Sequence, residues 1–420
     1  MSDIHALVLA ATTAVNQGRW DQAEAFWKQV LALDPRHPQA LYSLGVHAFK
    51  RGQLGAALQS LQAAHASAPG DPAVLLSISV VLREQGDHGG ELRAIEASLA
   101  ADPYFLPALL AKAAHLEIQG LRKAAIAVYR NALKVAPPEP HWPPALRTQL
   151  LHGRACVERL GTELADFLGV RTDTELSALT PTEAQRWRET ASILSGQSQA
   201  YPSVCSQLYV PRLPAIPFHE RSAFAWVAAL EARTEVITAE LSAVIDQAQA
   251  DFQPYIAYQP GTPVNQWQEL NHSKRWSSYF LWRNGQPVSE HLERCPETAK
   301  ALAAIGMADI RGLCPNAMFS VLAPHTRIPP HHGETNARLI VHLPLIVPEQ
   351  CVYRVGFEQR RWNVGEVLIF DDSIEHEARN DSDELRVVLI FDVWNPLLSA
   401  GDREMVKRMS AAMREFQGAA

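Results

Sequence analysis

The chain has 420 residues, of which 47% are hydrophobic and 20% charged, with a formal net charge of −7. That length exceeds what one ordinary core organises and implies two or three domains. The acidic balance and the lack of a Lys/Arg block argue against a nucleic-acid-binding surface, and the short, interrupted apolar runs leave no membrane span.

The opening MSDIHALVLAATTAVNQG has no basic leader region, and Asp3 precedes its short apolar stretch, so it reads as a helix and not a signal peptide. The cysteines Cys156, Cys205, Cys295, Cys314 and Cys351 are odd in number, scattered and without a C-x-x-C pair. Free thiols in a reducing, cytoplasmic setting are the expectation.

Residues 1–140 keep a strict 34-residue clock: Pro35, Pro69, Pro103 and Pro137 in one phase, Gly18, Gly52, Gly86 and Gly120 in another. Small residues share it, with Ala11, Gly45, Ser79 and Ala113 in phase, and Ala23, Ala57 and Ala125 in a further phase that Glu91 breaks. Each unit reads as helix, Gly turn, helix, Pro-marked turn, with small residues where paired helices approach. The third unit is atypical, carrying Gly89 and Gly90 inside its expected second helix. The pattern resembles tetratricopeptide repeats, and implies a solenoid whose concave face holds a peptide or partner, or which serves as a spacer.

Residues 141–204 read as a helical linker or cap. LTPTEAQRWRET offers Thr180 as N-cap, Pro181 in the first turn and Glu183 three residues on. Residues 209–219 are extended and Pro-punctuated, and 220–248 return to helix. WSSYFLWRNG (276–285) reads as a strand and turn, with Trp276, Tyr279 and Trp282 either lining a cleft or filling a core; 296–306 reads as a helix after a Pro start. Strands are expected at 317–323, 337–347, 351–357, 366–371 and 385–394, as a jelly roll within a 205–400 domain, followed by a helix or tail over 401–420.

Histidines concentrate here: His325, His331, His332, His342 and His376. Oxygen-activating iron sites take two His and one carboxylate on one face, commonly with a His-x-Asp/Glu spacing. Two residues after His331 stands Gly333, which has no side-chain oxygen. Either water fills that position, held by an outer carboxylate such as Asp372, or Glu334, Asp371 or Glu375 ligates. Arg386, opening the last strong strand, can grip a dicarboxylate with a bidentate fork, or be a surface charge beside Glu384. Period two places Arg338, Ile340 and His342 on one strand face.

PHHGETNARLIVHLPLIVP (330–348), WNVGEVLIFDDSIEHEARN (362–380) and LRVVLIFDVWNP (385–396), with YVPRLPAIPFHE (209–220) and WSSYFLWRNG, together resemble the aspartyl/asparaginyl β-hydroxylase family over roughly residues 205–397. The resemblance implies a double-stranded β-helix behind the all-α solenoid. It also implies Fe(II) held by His331 and His376 alone, with Gly333 at the vacant acid position and Asp372 orienting water. Ser320 and Arg386 would hold the distal carboxylate of the co-substrate 2-oxoglutarate, with His342 toward its other end. Where family members carry an arginine near that end this chain has Ile340, and Arg338 is the candidate replacement. The implied activity is a dioxygenase hydroxylating the β-carbon of Asp or Asn in a peptide or protein, recruited by the solenoid. Hydroxylation of a small molecule or lipid, or a non-catalytic binding role, stays open. Some members are membrane-associated, and animal ones work in the secretory lumen behind an anchor; neither feature is visible here.

Overall fold

The 34-residue clock becomes eight helices in a computed structural model that describes residues 2–418. They are α1 (Ser2–Asn16), α2 (Trp20–Leu33), α3 (Pro38–Lys50), α4 (Leu54–Ser67), α5 (Pro72–Glu84), α6 (His88–Ala101), α7 (Leu106–Ile118) and α8 (Arg122–Val135). Gly18, Gly52, Gly86 and Gly120 each take φ between +70° and +80°, the left-handed region that glycine enters without a Cβ penalty. A Cβ on Gly45 would lie 2.7 Å from Leu61 Cγ, so this phase of small residues sets the distance between α3 and α4.

The two irregularities of the third unit have local reasons. Gly89 and Gly90 fall in the first turn of α6, where Asp87 caps the helix by accepting from the Gly90 amide at 2.7 Å. Glu91, the exception in an alanine phase, is buried with His115 at 2.9 Å, so a polar pair replaces a small-residue contact. Beyond the repeats run α9 (Pro144–Ser177) and α10 (Pro181–Leu194), the latter opened by a Thr180–Glu183 capping box. Within the segment read as a helical linker or cap, α9 is one 34-residue helix. Two of its glycines admit neighbours. A Cβ on Gly153 would meet the Tyr129 ring at 2.6 Å, and one on Gly161 would meet the Ser195 carbonyl at 2.4 Å.

The chain divides into two compact units between Gln199 and Ala200. The second unit holds α11 (Val227–Glu231), α12 (Thr234–Gln247), α13 (Ser289–Arg294), α14 (Pro296–Ala303) and α15 (Ala400–Phe416). Its strands are β1 (Gln253–Pro254), β2 (Trp276–Arg283), β3 (Gln286–Pro287), β4 (Ala317–Leu322), β5 (Thr326–His331) and β6 (Arg338–Ile346). They continue with β7 (Cys351–Val355), β8 (Glu358–Arg360), β9 (Leu368–Phe370), β10 (His376–Asn380) and β11 (Arg386–Trp394). One sheet runs β1-β2-β4-β11-β6-β9 with β3 on β2; the other runs β5-β10-β7-β8; all pairs are antiparallel. The two sheets form the jelly roll. The helix expected across 220–248 is broken between Glu231 and Thr234, where the Thr234 hydroxyl caps the Glu231 carbonyl at 2.7 Å and Arg233 turns aside to Glu297.

Period two divides β6 between two cores. Leu339, Val341, Leu343 and Leu345 pack with Ile237, Leu241 and Leu302 of the helical layer. Each fully buried Leu or Ile there contributes about 1.5–3 kcal/mol. Ile340 packs on the core between the sheets with Phe218, Tyr353, Phe370 and Ile374, and Arg338 and His342 share its face. Among the described residues no helix is long and apolar enough to cross a membrane.

Candidate active site

The two sequence-selected histidines meet. His331 closes β5, His376 opens β10, and they are direct partners in the ladder, with ring centroids 4.0 Å apart. In both, Nδ1 lies against a backbone carbonyl two residues back, Pro329 at 2.8 Å and Ile374 at 3.0 Å. A carbonyl only accepts, so Nδ1 carries the proton and each Nε2 keeps its lone pair. Burial holds both imidazoles neutral, pulling His331 down to about 3 and His376 to about 4. His332 instead turns to the Ser373 carbonyl at 2.9 Å, and exposed His325 to Asp383 at 2.8 Å.

Gly333 is vacant because Asp372 occupies its space. A Cβ there would stand 2.1 Å from Asp372 Oδ2, and the Gly333 amide donates to the Asp372 carbonyl at 2.7 Å. Of the four acids that flank the two histidines in the sequence, Glu334 goes to Arg338, Glu375 to Arg354 at 2.9 Å, and Asp371 accepts from the Ser373 amide and hydroxyl. Asp372 alone among them keeps a buried oxygen, Oδ1, without a hydrogen-bond partner. Its other oxygen accepts from Arg338 Nη1 at 2.9 Å.

Arg338, expected to meet a co-substrate carboxylate in place of an arginine at 340, is enclosed by three protein carboxylates, Asp372, Glu334 and Asp392. Its guanidinium is thereby committed to positioning Asp372. Ile340 adds only apolar surface.

Arg386 is 1% exposed, the largest fully buried side chain in the described chain, with Nε and Nη1 lacking any hydrogen-bond partner. Burial pulls it down only to about 10, so it is a cation at neutral pH. A buried, unpaired guanidinium costs several kcal/mol unless an anion meets it. One strand over, Ser320 accepts from Trp276 Nε1 at 3.2 Å, and opposite it the Ser278 hydroxyl is buried and unpartnered. Orphan donors of this kind fit a carboxylate that the protein itself does not supply. His342 is fixed by Trp362, whose Nε1 donates to Nδ1 at 3.1 Å, leaving a proton on Nε2; burial first, then the charge of Arg386, pushes it far down. The Trp362 ring also lies 4.8 Å from the Arg386 guanidinium carbon.

Trp276 faces this site while Tyr279, on the opposite face of β2, is core and stacks on His291; Trp282 packs on the same core. Trp267, 5.0 Å edge-on to His331, Tyr255, stacked on Trp276 at 4.1 Å, Trp362 and Ser278 were not singled out in the sequence. Aromatics in loops carry no period to mark them. The extended segment at 204–219 clamps the loops that bear the site: the Val204 amide donates to Ser373, Ser206 to Gly333 and His219 to Ile369.

Residues 231–396 match the family described as Aspartyl/Asparaginyl beta-hydroxylase, and residues 8–72 match the Tetratricopeptide repeat family. The chain is similar to the aspartyl/asparaginyl beta-hydroxylase of Mus musculus, 33% identical over 180 residues, which cover 42% of this chain and 22% of that protein. It is 35% identical over 186 residues to the ornithine lipid ester-linked acyl 2-hydroxylase of Rhizobium tropici, covering 44% of this chain and 62% of that protein. Aspartate beta-hydroxylase domain-containing protein 2 of Homo sapiens is 31% identical over 201 residues, covering 47% and 52%. The chain thus spans 22% of the length of the mouse relative, and less than two thirds of each of these proteins.

Proposed function

We propose that this chain, a domain of the aspartyl/asparaginyl β-hydroxylase family following tetratricopeptide repeats, is an Fe(II)- and 2-oxoglutarate-dependent dioxygenase. The observation that carries the reading is the ladder pair His331 and His376, each with Nδ1 held by a backbone carbonyl so that Nε2 keeps its lone pair, in one unit with an unpaired buried Arg386. In this reading the two histidines hold iron, while Arg386, Ser320 and Ser278 grip the distal carboxylate of 2-oxoglutarate. His342 offers its Nε2–H as a donor to the co-substrate. Asp372, kept in place by Arg338, uses its free oxygen to hold a water beside the two histidines. Trp267 and Trp276 exclude bulk water from the same space. When bound, iron and 2-oxoglutarate supply the oxygen activation that turns an unactivated C–H into C–OH, with the co-substrate oxidised to succinate and carbon dioxide.

The substrate this favours is the β-carbon of Asp or Asn in a peptide or protein. The solenoid supports recruitment of an extended chain, and it offers a cleft of about 140 Å³ lined by Trp20, Trp27, Tyr42 and Glu24. Five unpaired thiols suit a reducing, cytoplasmic setting. A second reading, a lipid or small-molecule hydroxylase, is favoured by the likeness to the Rhizobium tropici enzyme. The test supplies Fe(II), 2-oxoglutarate and oxygen with Asp- and Asn-containing peptides. It measures succinate and the gain of one oxygen atom by mass spectrometry. Turnover should fall to background in His331→Ala/His376→Ala, with loss of iron binding. Undiminished succinate formation in that double variant would sink the assignment.

A further inference from the structure

Outside this site, among the described residues, two groups of side chains bring three metal-capable atoms within 4.8 Å of one another, and both lie in the helical unit. The first, Asp21–Glu24–His47, is already neutralised: Lys28 sits 2.7 Å from Glu24, and Arg51 bridges Glu24 and Asp21. The second, Glu117–His152–Cys156, is different. No lysine or arginine among the described residues forms an ion pair with Glu117; its partners are His152, Tyr129 and Cys156.

His152 and Cys156 are one turn apart on α9 and share a face, while Glu117 comes from the last turn of α7. All three donors converge on one point. His152 Nε2 lies 2.9 and 3.1 Å from the Glu117 oxygens and 3.5 Å from Cys156 Sγ, and Sγ lies 3.9 Å from Glu117 Oε1. A Cys–His–acid relay needs the two imidazole nitrogens to serve opposite partners. Here the same nitrogen faces both the sulfur and the carboxylate, so the group cannot work as a relay. Tetrahedral zinc bonds of roughly 2.0–2.3 Å require donor–donor edges of about 3.3–3.6 Å, close to the spacings observed.

The surroundings are built for it. Tyr129, 3% exposed, donates to Glu117 Oε2 at 2.9 Å, and its ring fits against α9 because residue 153 is glycine. A buried hydroxyl that orients a ligand carboxylate is the outer support metal sites use. His152 and Glu117 are about half exposed, at 51% and 40%, which leaves an entry path and room for water as fourth ligand.

We propose that Glu117, His152 and Cys156 form a zinc site that clips α7 of the last repeat to α9. Binding exchanges the Cys156 S–H proton, released to solvent, for a metal–sulfur bond, with no redox change. Burial and the Glu117 carboxylate hold the free thiol up, and a divalent cation reverses that balance.

The test uses the full chain, reduced and chelator-treated, titrated with Co(II) without co-substrate. A near-ultraviolet thiolate-to-Co(II) band should appear in the wild type and in His331→Ala/His376→Ala. It should vanish in Cys156→Ser and need about tenfold more metal in Tyr129→Phe. Far-UV circular dichroism confirms that the variants fold. Zn(II) at saturation should raise the unfolding midpoint of the helical unit by about 5 °C in the wild type and not in Cys156→Ser. Absence of the band in folded wild type, or its persistence in Cys156→Ser, overturns the site; neither result touches the iron reading.

Discussion

Arg386 is the residue whose environment makes least sense without a ligand. Its guanidinium has left water, stacks near Trp362 and keeps two nitrogens unpaired. Arg386→Ala should weaken 2-oxoglutarate binding about a hundredfold, the scale of a lost bidentate charge-assisted contact. Arg386→Lys should recover little, because an ammonium cannot reproduce the fork. Calorimetric titration of the metal-loaded protein measures both, and a wild-type affinity in the alanine variant would exclude the role. The same interior sets an acid sensitivity. Burial holds His219 at about 4, His376 at about 4, His331 at about 3 and His342 far down. Their stabilising contribution is present above the unfolded value and is lost as pH falls through the folded ones. Burial raises Asp371 to about 7 and Asp392 to about 6; they act oppositely, contributing at low pH and losing it as pH rises. Between about pH 5 and 6, four histidines take up protons on unfolding and two aspartates release them. Stability should therefore fall by about 3 kcal/mol per pH unit toward acid in metal-free protein. Urea midpoints at the two pH values in chelator test this, and a flat profile would contradict it.

At the scale of elements, legibility followed hydrophobic period. β4, β6, β7, β9 and β11 are apolar runs that the sequence announces, and the repeat helices carry their own clock. Among the strands it hides, β5 and β10 hold the histidines. TRIPPH contains two prolines, tolerated because β5 is an edge strand of its sheet, and HEARN is polar except for Ala378, with His376, Ala378 and Asn380 turned inward. His331 and His376 were thus recognisable by residue type and by resemblance, while the ladder that pairs them was not. Arg338 shows the converse. Its face on β6 could be read from period two, but its three carboxylate partners come from residues 334, 372 and 392, which only the fold assembles. The repeat helices yield a separate expectation. Gly45→Val places a branched side chain where a Cβ alone would already overlap Leu61 and crowd the Ala57 carbonyl at 3.2 Å. It should destabilise the solenoid by about 2 kcal/mol, read by far-UV circular dichroism in denaturant, with 2-oxoglutarate affinity unchanged. A shift in that affinity would show that the solenoid's packing reaches the site.

For the whole molecule, the informative property is that the two units have separate cores. The repeats close on clusters around Trp27 and Val30, Leu61 and Ile78, and Leu110 and Tyr129. The jelly roll closes on its helical layer, its inter-sheet core and the Trp394 cluster. Every proposed ligand of iron and of 2-oxoglutarate, and the strap from residue 204 that clamps their loops, belongs to the second unit. A fragment spanning 200–420 should therefore fold and bind 2-oxoglutarate with the affinity of the full chain. What it should lose depends on the substrate. If the solenoid holds an extended peptide, binding energy remote from the reacting carbon contributes to kcat/KM, and the fragment should lose about tenfold or more on long peptides while keeping its rate on short ones. A small molecule or a lipid headgroup presents no such remote segment, so kcat/KM for it should be the same in fragment and full chain. Comparing the two proteins on a long peptide, its truncated core and a lipid substrate separates the readings. Equal kcat/KM on long and short peptides in both proteins would remove the solenoid from substrate recognition and leave it partner recruitment or the metal-clipped scaffold alone.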